Sequence, residues 1–185
     1  MLELKRFNRT VEIFFTKLSL KEISQVALIT LIISFIISRF FVPVVVVGKS
    51  MMKTLENGEI LVLYKMAYIK KAPRYKDIVI IKVNSGFNED TIVKRVIGTP
   101  KDHIVIKDDK VYINEELLSE DYINDEEIVS GKYDIDITLK DDEIFVMGDN
   151  RNHSSDSRNP SLGVINYKED VVGRIIYSIS DFEVM

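Results

Sequence analysis

The chain of 185 residues contains no cysteine and only two histidines. The absence of cysteine excludes a disulfide framework, a thiol nucleophile and a thiolate zinc site, although exported domains also exist without disulfides. Neither an internal repeat nor a low-complexity tract is present. With 46% hydrophobic and 29% charged residues, the composition is typical of a packed globular domain, and the length suits one domain plus a small additional element.

Charge is distributed unevenly along the chain. Residues 1–47 carry six basic and three acidic residues, a net +3; since the whole chain has a net charge of −4, the remainder carries −7. A basic start before an acidic body argues against a nucleic-acid partner. It favours a chain whose N-terminus stays on the cytoplasmic side of a lipid bilayer.

One apolar run, Val26–Ile37, has no charged residue. It is shorter than the roughly 20 residues that cross a bilayer, but apolar and interfacial neighbours extend it. We predict an uncleaved transmembrane signal anchor over residues 23–42, a cytoplasmic amphipathic segment over residues 1–22 and an extracytoplasmic domain over residues 43–185. The alternatives are a buried core helix and a cleaved secretory signal, which the lack of an A-x-A-like site disfavours.

From residue 43 onward, short β-branched runs bounded by turn residues predict strands. No strand alternates regularly with a long helix, so a parallel α/β sheet is disfavoured. We predict a mainly β fold: a coiled antiparallel, barrel-like catalytic domain preceded by a transmembrane helix. The acidic segment Glu115–Glu127 is expected to be a solvated surface loop. The predicted strands are Val44–Val47, Ile60–Tyr64, Ile78–Val83, Thr91–Ile97, His103–Lys107, Lys110–Asn114, Asp134–Thr138, Glu143–Met147 and Val171–Ser178.

The segment Gly48–Leu55 offers a candidate serine nucleophile, Ser50. A serine needs a base to become a nucleophile. Strand alternation places Ser50 on the same side of the preceding strand as Val46 and Gly48. Gly48 leaves room for a substrate backbone, and the flexible Met51 offers a wall for small side chains.

The run Thr91–Gly98 offers the candidate base, Lys94. Alternation places Lys94 on one face with Ile92 and Val96, and Arg95 on the other face, where it can stay solvated. Loss of hydration should lower the pKa of Lys94, which a general base near neutral pH requires. The first hypothesis is therefore a membrane-attached Ser-Lys hydrolase; the alternatives are a turn serine and an edge-strand lysine.

A third motif, Met147–Arg158, is dense in hydrogen-bonding side chains, with two aspartates and two arginines that can pair among themselves. It predicts a rigid brace beside an active site. A calcium loop is disfavoured because Asp149 and Asp156 are too few acids among repelling arginines. A Ser-His-Asp triad built on His153 is disfavoured because neighbours in a loop rarely face each other and no G-x-S-x-G elbow exists.

Together these motifs resemble the type I signal peptidases, the membrane-bound Ser-Lys enzymes that remove signal peptides from exported proteins. The family patterns are G-x-S-M-x-P-T-L, G-D-I-V, K-R-V-I-G-x-P-G-D and G-D-N-R-x-x-S-x-D-S-R. Their counterparts occur here in the same order, as Gly48–Leu55, Lys76–Val79, Lys94–Asp102 and Gly148–Arg158.

The resemblance implies a role for each matching residue. Ser50 resembles the nucleophile, Lys94 the general base and Ser154 the hydroxyl that hydrogen-bonds the lysine. Gly48 stands where some members have a second serine that helps to bind the oxyanion, so backbone N–H groups, that of Ser50 first, would take this role. The residues that resemble the structural brace are Asp149, Asp156 and Arg158.

Four turn positions depart from the family pattern. Lys53 replaces a proline, whereas Lys76, Lys101 and Glu115 replace glycines. Lys53 loses a restraint on φ and adds a cation that is expected to compete electrostatically with Lys94 or to lower its pKa further. No position implied to be catalytic is altered, so we expect activity.

The function implied is a serine endopeptidase that cleaves N-terminal signal peptides after small residues of the A-x-A type. Its partners would be preprotein signal peptides, the bilayer and the export translocase, with no metal, nucleotide or other cofactor required. The substrate would pair with strand edges near Val44–Gly48 and Thr91–Val93. Shallow pockets for small side chains are expected from Val46, Met51, Leu55 and Val93.

Three other functions remain compatible with the motifs. The first is a self-cleaving Ser-Lys repressor of the same broad fold. The second is a non-catalytic, membrane-tethered β module that binds exported or pilus-type proteins, a reading that Lys53 favours. The third is a related peptidase with a narrow set of substrates.

Overall fold

The computed structural model describes residues 19–84, 89–123 and 133–178. The amphipathic segment predicted near the N-terminus lies outside the described residues up to residue 18. The chain divides into an N-terminal unit that ends at Arg39 and a folded domain that begins at Phe40.

Helix α1, Leu20–Phe40, is long and apolar enough to cross a membrane, with 21 residues and a mean hydropathy of 2.0 over its most apolar window. At about 1.5 Å per residue it matches a hydrocarbon core of about 30 Å. The helix begins with a capping box, because Ser19 Oγ accepts the N–H of Glu22 and the Glu22 carboxylate accepts the N–H of Ser19. None of the residues Leu20–Phe40 is buried, which favours a membrane anchor over the core-helix alternative.

The domain after α1 consists of antiparallel strands in two sheets. The strands are β1 Phe41–Val45, β2 Ile60–Tyr64, β3 Ile78–Asn84, β4 Glu89–Gly98, β5 His103–Lys107, β6 Lys110–Ile113, β7 Glu116–Leu117, β8 Ile135–Thr138, β9 Glu143–Met147, β10 Ile165–Asn166 and β11 Val171–Ser178. The larger sheet has the order β1-β2-β11-β3-β4-β9-β10, and the smaller has the order β7-β6-β5-β8. Every pairing among the described strands is antiparallel, which confirms the predicted mainly β class.

Strands β4 and β9 form the centre of the domain because both of their faces are buried. On one face, Val96 and Val146 pack with residues of β3 in one apolar cluster. On the other face, Ile97 and Met147 pack against β5 and β6 of the smaller sheet in a second cluster. Alternation along each strand therefore joins the two sheets, and the end of β9 leads directly into the motif that begins at Gly148.

Among the described residues, the prediction of a solvated loop over Glu115–Glu127 is only partly correct. Glu115–Leu117, Ser119 and Asp121 are exposed, but the side chains between and after them are held against the domain. Leu118 packs against the second cluster, and its N–H donates to the carbonyl of Val111 at 2.8 Å. The Glu120 side chain is only 7% exposed because Arg151 pairs with it. Residues 124–127 lie outside the described residues. An acidic composition did not mean solvation here, since a buried arginine compensates the acid.

Candidate active site

Ser50 lies in a turn that follows β1. The strand ends at Val45, and Gly48 then adopts a φ of +104°, so the alternation expected to carry Ser50 on a strand face is broken. The N–H of Gly48 donates to Asn57 Oδ1 at 2.9 Å, which fixes the reversal of the chain. A Cβ at Gly48 would meet nothing within 4 Å, so the backbone conformation, not local crowding, favours glycine at this position.

A third apolar cluster lies beneath the turn and holds it in place. Met51 and Leu55 are only 2% and 5% exposed, and both pack with Val46 and Leu61. The N–H of Leu55 donates to the carbonyl of Met51 at 2.8 Å, which closes the turn after Ser50. Within the turn, the apolar side chains of Met51 and Leu55 fix the backbone to the core, whereas the polar side chain of Ser50 does not take part in this cluster.

Strand β4 brings Lys94 to Ser50. The Lys94 Nζ atom lies 2.8 Å from Ser50 Oγ and 3.1 Å from the carbonyl oxygen of Val93. Lys94 is 3% exposed, and its neighbour in register is Val79 on β3. The predicted nucleophile and the predicted base are thus in hydrogen-bonding contact in a site shielded from water.

Burial lowers the pKa of Lys94 from its ordinary value to about 8. Removing an ammonium group from water disfavours its charged form, and this cost is the largest cause of the shift. Among nearby charges, Asp156 and Asp149 oppose the shift, and Arg158 adds to it. At pH 7 roughly a tenth of the molecules therefore carries the free amine that a general base requires.

Lys53 was expected to act on the Lys94 pKa through its charge, but its notable feature is its backbone conformation. Its side chain is exposed, and the charges that contribute most to the Lys94 pKa belong to Asp156, Arg158 and Asp149. The φ of Lys53 is +83°, which a proline ring, fixed near −65°, cannot adopt. The lysine therefore stands in a turn whose conformation excludes the proline of the family pattern.

The three glycine replacements also lie in left-handed backbone. The φ angles are +69° at Lys76, +75° at Lys101 and +73° at Glu115. Glycine adopts this region without the clash that a Cβ creates. The substitutions thus keep a glycine-like turn at a cost in backbone strain.

Arg95 is buried, so the prediction that it stays solvated is wrong. It is 7% exposed, and its guanidinium binds Asp149 in a bidentate pair, with distances of 2.8 Å from Nε to Oδ1 and 2.6 Å from Nη2 to Oδ2. The ring of Tyr122 covers the guanidinium at 4.1 Å. The partners are distant in sequence, which is why alternation alone could not anticipate the burial.

Thr54 connects this ion pair to the turn that carries Ser50. Its hydroxyl donates to Asp149 Oδ2 at 2.5 Å and accepts from Arg95 Nη2 at 3.2 Å. Sequence reasoning assigned no role to Thr54, although its place in the resemblance pattern was a usable signal. The predicted supporting residue Asp149 therefore links β4 to the turn after Ser50.

The loop Gly148–Arg158 is tied together by Asp156. Asp156 Oδ1 accepts from Arg158 Nε at 2.8 Å, and Oδ2 accepts from Arg158 Nη2 at 2.9 Å and from the N–H of Gly148 at 3.0 Å. Burial alone would raise the pKa of Asp156, but these hydrogen bonds and the charge of Arg158 lower it. The aspartates and arginines of the loop were expected to pair among themselves; only this pair does, since Arg151 binds Glu120 and Asp149 binds β4.

Asn150 was not predicted as a site residue, yet it joins the loop to the nucleophile turn. Its backbone N–H donates to the carbonyl of Ser50 at 3.0 Å, and its Nδ2 donates to the carbonyl of Lys49 at 3.1 Å. The contact is close, because a Cβ at Gly148 would lie 2.5 Å from the Ser50 carbonyl oxygen. The loop thus sets the backbone on which Ser50 stands.

Ser154 does not bind Lys94 in this structure. Its Oγ is buried and makes no hydrogen bond of good geometry among the described residues, but the hydroxyl lies close enough to Asp156 to help lower the pKa of that carboxyl. A Cβ at Gly148 would lie 2.3 Å from this oxygen, which shows how closely Ser154 packs on that glycine. The expected hydrogen bond is replaced by the one from the Lys94 amine to the Val93 carbonyl.

A cleft of about 260 Å³ opens beside Ser50 and Lys94, between residues 44–48 and residues 91–94. Three of the predicted pocket residues, Val46, Met51 and Val93, line it. Leu55 does not, because it is buried in the cluster beneath the turn. Among the described residues, no group of three or more acids and histidines is arranged to hold a metal ion.

Known proteins are similar to this chain in sequence. The family described as "Signal peptidase, peptidase S26" matches residues 20–179. Signal peptidase I of Bacillus licheniformis is 40% identical over 162 residues, which cover 82% of this chain and 84% of the relative. Signal peptidase I P of Bacillus subtilis subsp. natto is 37% identical over 154 residues, which cover 79% and 81%.

Among solved structures, the crystal structure of a signal peptidase I from Enterococcus faecalis has 30% sequence identity and a TM-score of 0.45. The match covers 57% of this chain and 98% of that one. The family model matches most of the chain, and the relatives are 35% to 40% identical to it. These matches establish the family of this chain. This chain belongs to the signal peptidases of the S26 peptidase family.

Proposed function

We propose that this protein is a membrane-anchored serine endopeptidase that removes N-terminal signal peptides from exported preproteins, with Ser50 as nucleophile and Lys94 as general base. The observation that carries the proposal is the 2.8 Å contact between the buried Lys94 amine and the Ser50 hydroxyl. The family and the relatives named signal peptidase I support the substrate class.

The acylation step follows from the contact between the two side chains. The neutral Lys94 amine takes the proton of the Ser50 hydroxyl while Oγ attacks the carbonyl carbon of the scissile peptide bond. Lys94, now an ammonium, gives this proton to the leaving nitrogen, and the C–N bond breaks. An ester between Ser50 and the signal peptide remains. Lys94 then deprotonates a water molecule, whose oxygen attacks the ester carbonyl. The Lys94 ammonium returns this proton to Ser50 Oγ as the ester C–O bond breaks, and the signal peptide leaves with a free carboxylate.

An oxyanion forms in each step and needs hydrogen-bond donors. Gly48 has no side chain to supply one, so the donors must come from elsewhere. The N–H of Gly48 already donates to Asn57 Oδ1. We assign the oxyanion to backbone donors of the turn, that of Ser50 first. Asn150 and Gly148 support this role because the loop they belong to fixes the carbonyl of Ser50.

The position of the cleft suits an extended peptide that pairs with strand edges. In the described pairings β1 bonds only to β2, and the first residues of β4 bond only to β3. A substrate strand can therefore add along either edge. The small volume of the cleft and the apolar walls of Val46, Met51 and Val93 favour small side chains beside the scissile bond, as in the A-x-A type.

The membrane arrangement completes the proposal. The span is assigned to helix α1, Leu20–Phe40, and not to the expected residues 23–42, because Phe41 and Val42 pair with β2. The residues before this helix are assigned to the cytoplasm and those after it to the extracytoplasmic side. Helix α1 supports the span, and the net +3 of residues 1–47 supports the orientation. The export translocase is the proposed source of the substrate.

Processing of a preprotein by the full-length protein in proteoliposomes tests the assignment. Ser50→Ala and Lys94→Ala are expected to abolish cleavage. The matched controls Ser155→Ala and Lys82→Ala change an exposed serine of the loop and an exposed lysine of β3, and both are expected to cleave normally. Normal cleavage by either site variant contradicts the proposal.

A further inference from the structure

A basic segment lies in the middle of an otherwise acidic domain. Residues 60–76 contain five basic residues and no acidic residue, whereas residues 48–185 as a whole carry −7. We define the basic segment as Lys65–Arg74. Lys76, just beyond it, pairs with Asp121 at 3.1 Å. The exposed cations of the segment itself are Lys65, Lys70, Lys71 and Arg74.

Two large apolar side chains are exposed among these cations. Met66 is 40% exposed and Ile69 is 62% exposed. The segment is nevertheless held firmly, because Tyr68 and Ala72 pack against the cluster that contains Val79. The Tyr68 hydroxyl also donates to Asp77 Oδ2 at 3.0 Å. The inward residues fix the segment, and the outward ones present a surface that combines positive charge with apolar side chains.

The basic segment begins with a hydrogen bond to the first residue of the folded domain. The N–H of Lys65 donates to the carbonyl of Phe40, the last residue of α1, at 3.0 Å. The rings of Phe41 and Tyr64 stack next to this bond with their centroids 5.2 Å apart. The basic segment is therefore bonded to the residue at which the candidate membrane span ends and the folded domain begins.

We propose that the basic segment is a second membrane contact, in which its cations bind the headgroups of anionic phospholipids and Met66 and Ile69 enter the interface. Positive charge next to a membrane helix attracts an anionic surface, and apolar side chains between the cations add buried area. Charge complementarity and the continuity with Phe40 favour a lipid surface over an acidic protein as the occupant. The contact does not depend on the Ser50–Lys94 chemistry, so it can fail without affecting the proposed function.

The absence of native cysteine allows a direct test on the full-length protein. An Ile69→Cys variant is labelled with an environment-sensitive thiol fluorophore and placed in nanodiscs of phosphatidylcholine, with or without phosphatidylglycerol. The matched control is Leu117→Cys, since Leu117 is 58% exposed and lies on β7 of the smaller sheet. Quenching by acrylamide, which is uncharged, reports the access of water to each label.

We expect phosphatidylglycerol to reduce quenching at position 69 roughly threefold and to leave position 117 unchanged, because only the former meets the interface. High salt should reverse the effect, since it screens headgroup attraction. Changing all four cations of the segment to glutamine in the Ile69→Cys background should remove it while preprotein cleavage persists. Equal quenching at position 69 with and without phosphatidylglycerol overturns the proposal, as does protection that requires an added membrane protein.

Discussion

The Lys94 amine lies 2.8 Å from the Ser50 hydroxyl in a position where the lysine is only 3% exposed. The burial that lowers the Lys94 pKa also lowers the free energy of unfolding when Lys94 is charged, because an ammonium group loses its hydration in the folded state. Asp149 and Asp156 limit this cost by opposing the shift. The site is therefore a compromise between a reactive amine and a stable domain, which leads to separate predictions for activity and stability.

The pH dependence of cleavage should follow the free amine of Lys94. With a pKa of about 8, the neutral fraction rises as pH increases through that value. We expect kcat/KM to increase about tenfold between pH 7 and pH 9 and then level off. Initial rates on a preprotein or peptide substrate over this range test it. A profile centred on the ordinary lysine pKa of about 10.4 contradicts the role assigned to Lys94.

Replacement of Lys94 by methionine should stabilise the protein while abolishing activity. Below pH 8 the native lysine is charged in both states, and the shift from 10.5 to about 8 corresponds to a cost of up to about 3 kcal/mol. The unfolded state binds more protons than the native state between the two pKa values. The gain from Lys94→Met should thus shrink as pH rises from 8 to 10.5.

Denaturant unfolding of the wild-type and Lys94→Met proteins in detergent, at several pH values, measures this difference. Lys82→Met is the control, because Lys82 is exposed on β3 and should give no comparable gain. A Lys94→Met variant that is less stable than the wild type at neutral pH contradicts the expectation.

Asn150 should act on catalysis by positioning the backbone of Ser50. In Asn150→Asp the side chain keeps its shape but loses the Nδ2 donor to the Lys49 carbonyl. We expect kcat to fall roughly tenfold with little change in KM, because the nucleophile is displaced and the cleft is not. Asn159→Asp removes a donor to Ser155 in the same loop and should leave kcat unchanged. Equal kcat values for the two variants contradict the positioning role.

The left-handed turns should be open to stabilisation by glycine. Lys101 has a φ of +75°, and its ion pair with Asp141 is exposed on both sides, so the pair contributes little. We expect Lys101→Gly to raise the free energy of unfolding by about 0.5–1 kcal/mol, because relief of strain exceeds the added entropy of the unfolded chain. Lys107→Gly, in strand β5, should lower stability by a similar amount. Loss of stability in Lys101→Gly contradicts the strain argument.

Local sequence patterns were sufficient for most of the fold. All nine predicted strands overlap an observed strand, and four of them, such as Ile60–Tyr64, have the observed bounds. Val44–Val47 shares only two residues with β1, because that strand already begins at Phe41, within the predicted anchor. Short elements were missed: β7 and β10 have two residues each, too few for any periodicity to appear. The helix Tyr167–Asp170 was missed for the same reason, since it has only four residues.

Contacts between distant segments were harder to anticipate. Arg95 was expected in solvent, but its partner Asp149 lies 54 residues away. Ser154 was expected by resemblance to hydrogen-bond Lys94, but its hydroxyl packs on Gly148 and makes no such bond in this structure. Gly48 broke the strand alternation expected for Ser50, because its positive φ reverses the chain. Each of these depends on tertiary packing or on one backbone angle, which residue patterns do not encode.

The most direct test of the Ser50–Lys94 assignment is covalent labelling of the full-length protein with a serine-directed acylating inhibitor, followed by mass spectrometry of intact protein and peptides. The account predicts one adduct, on Ser50, whose rate of formation rises with pH through about 8. It also predicts no adduct in Ser50→Ala and a large loss of rate in Lys94→Met. Labelling of Ser50 at the same rate in Lys94→Met, or cleavage that persists while Ser50 is fully acylated, would contradict the central claim.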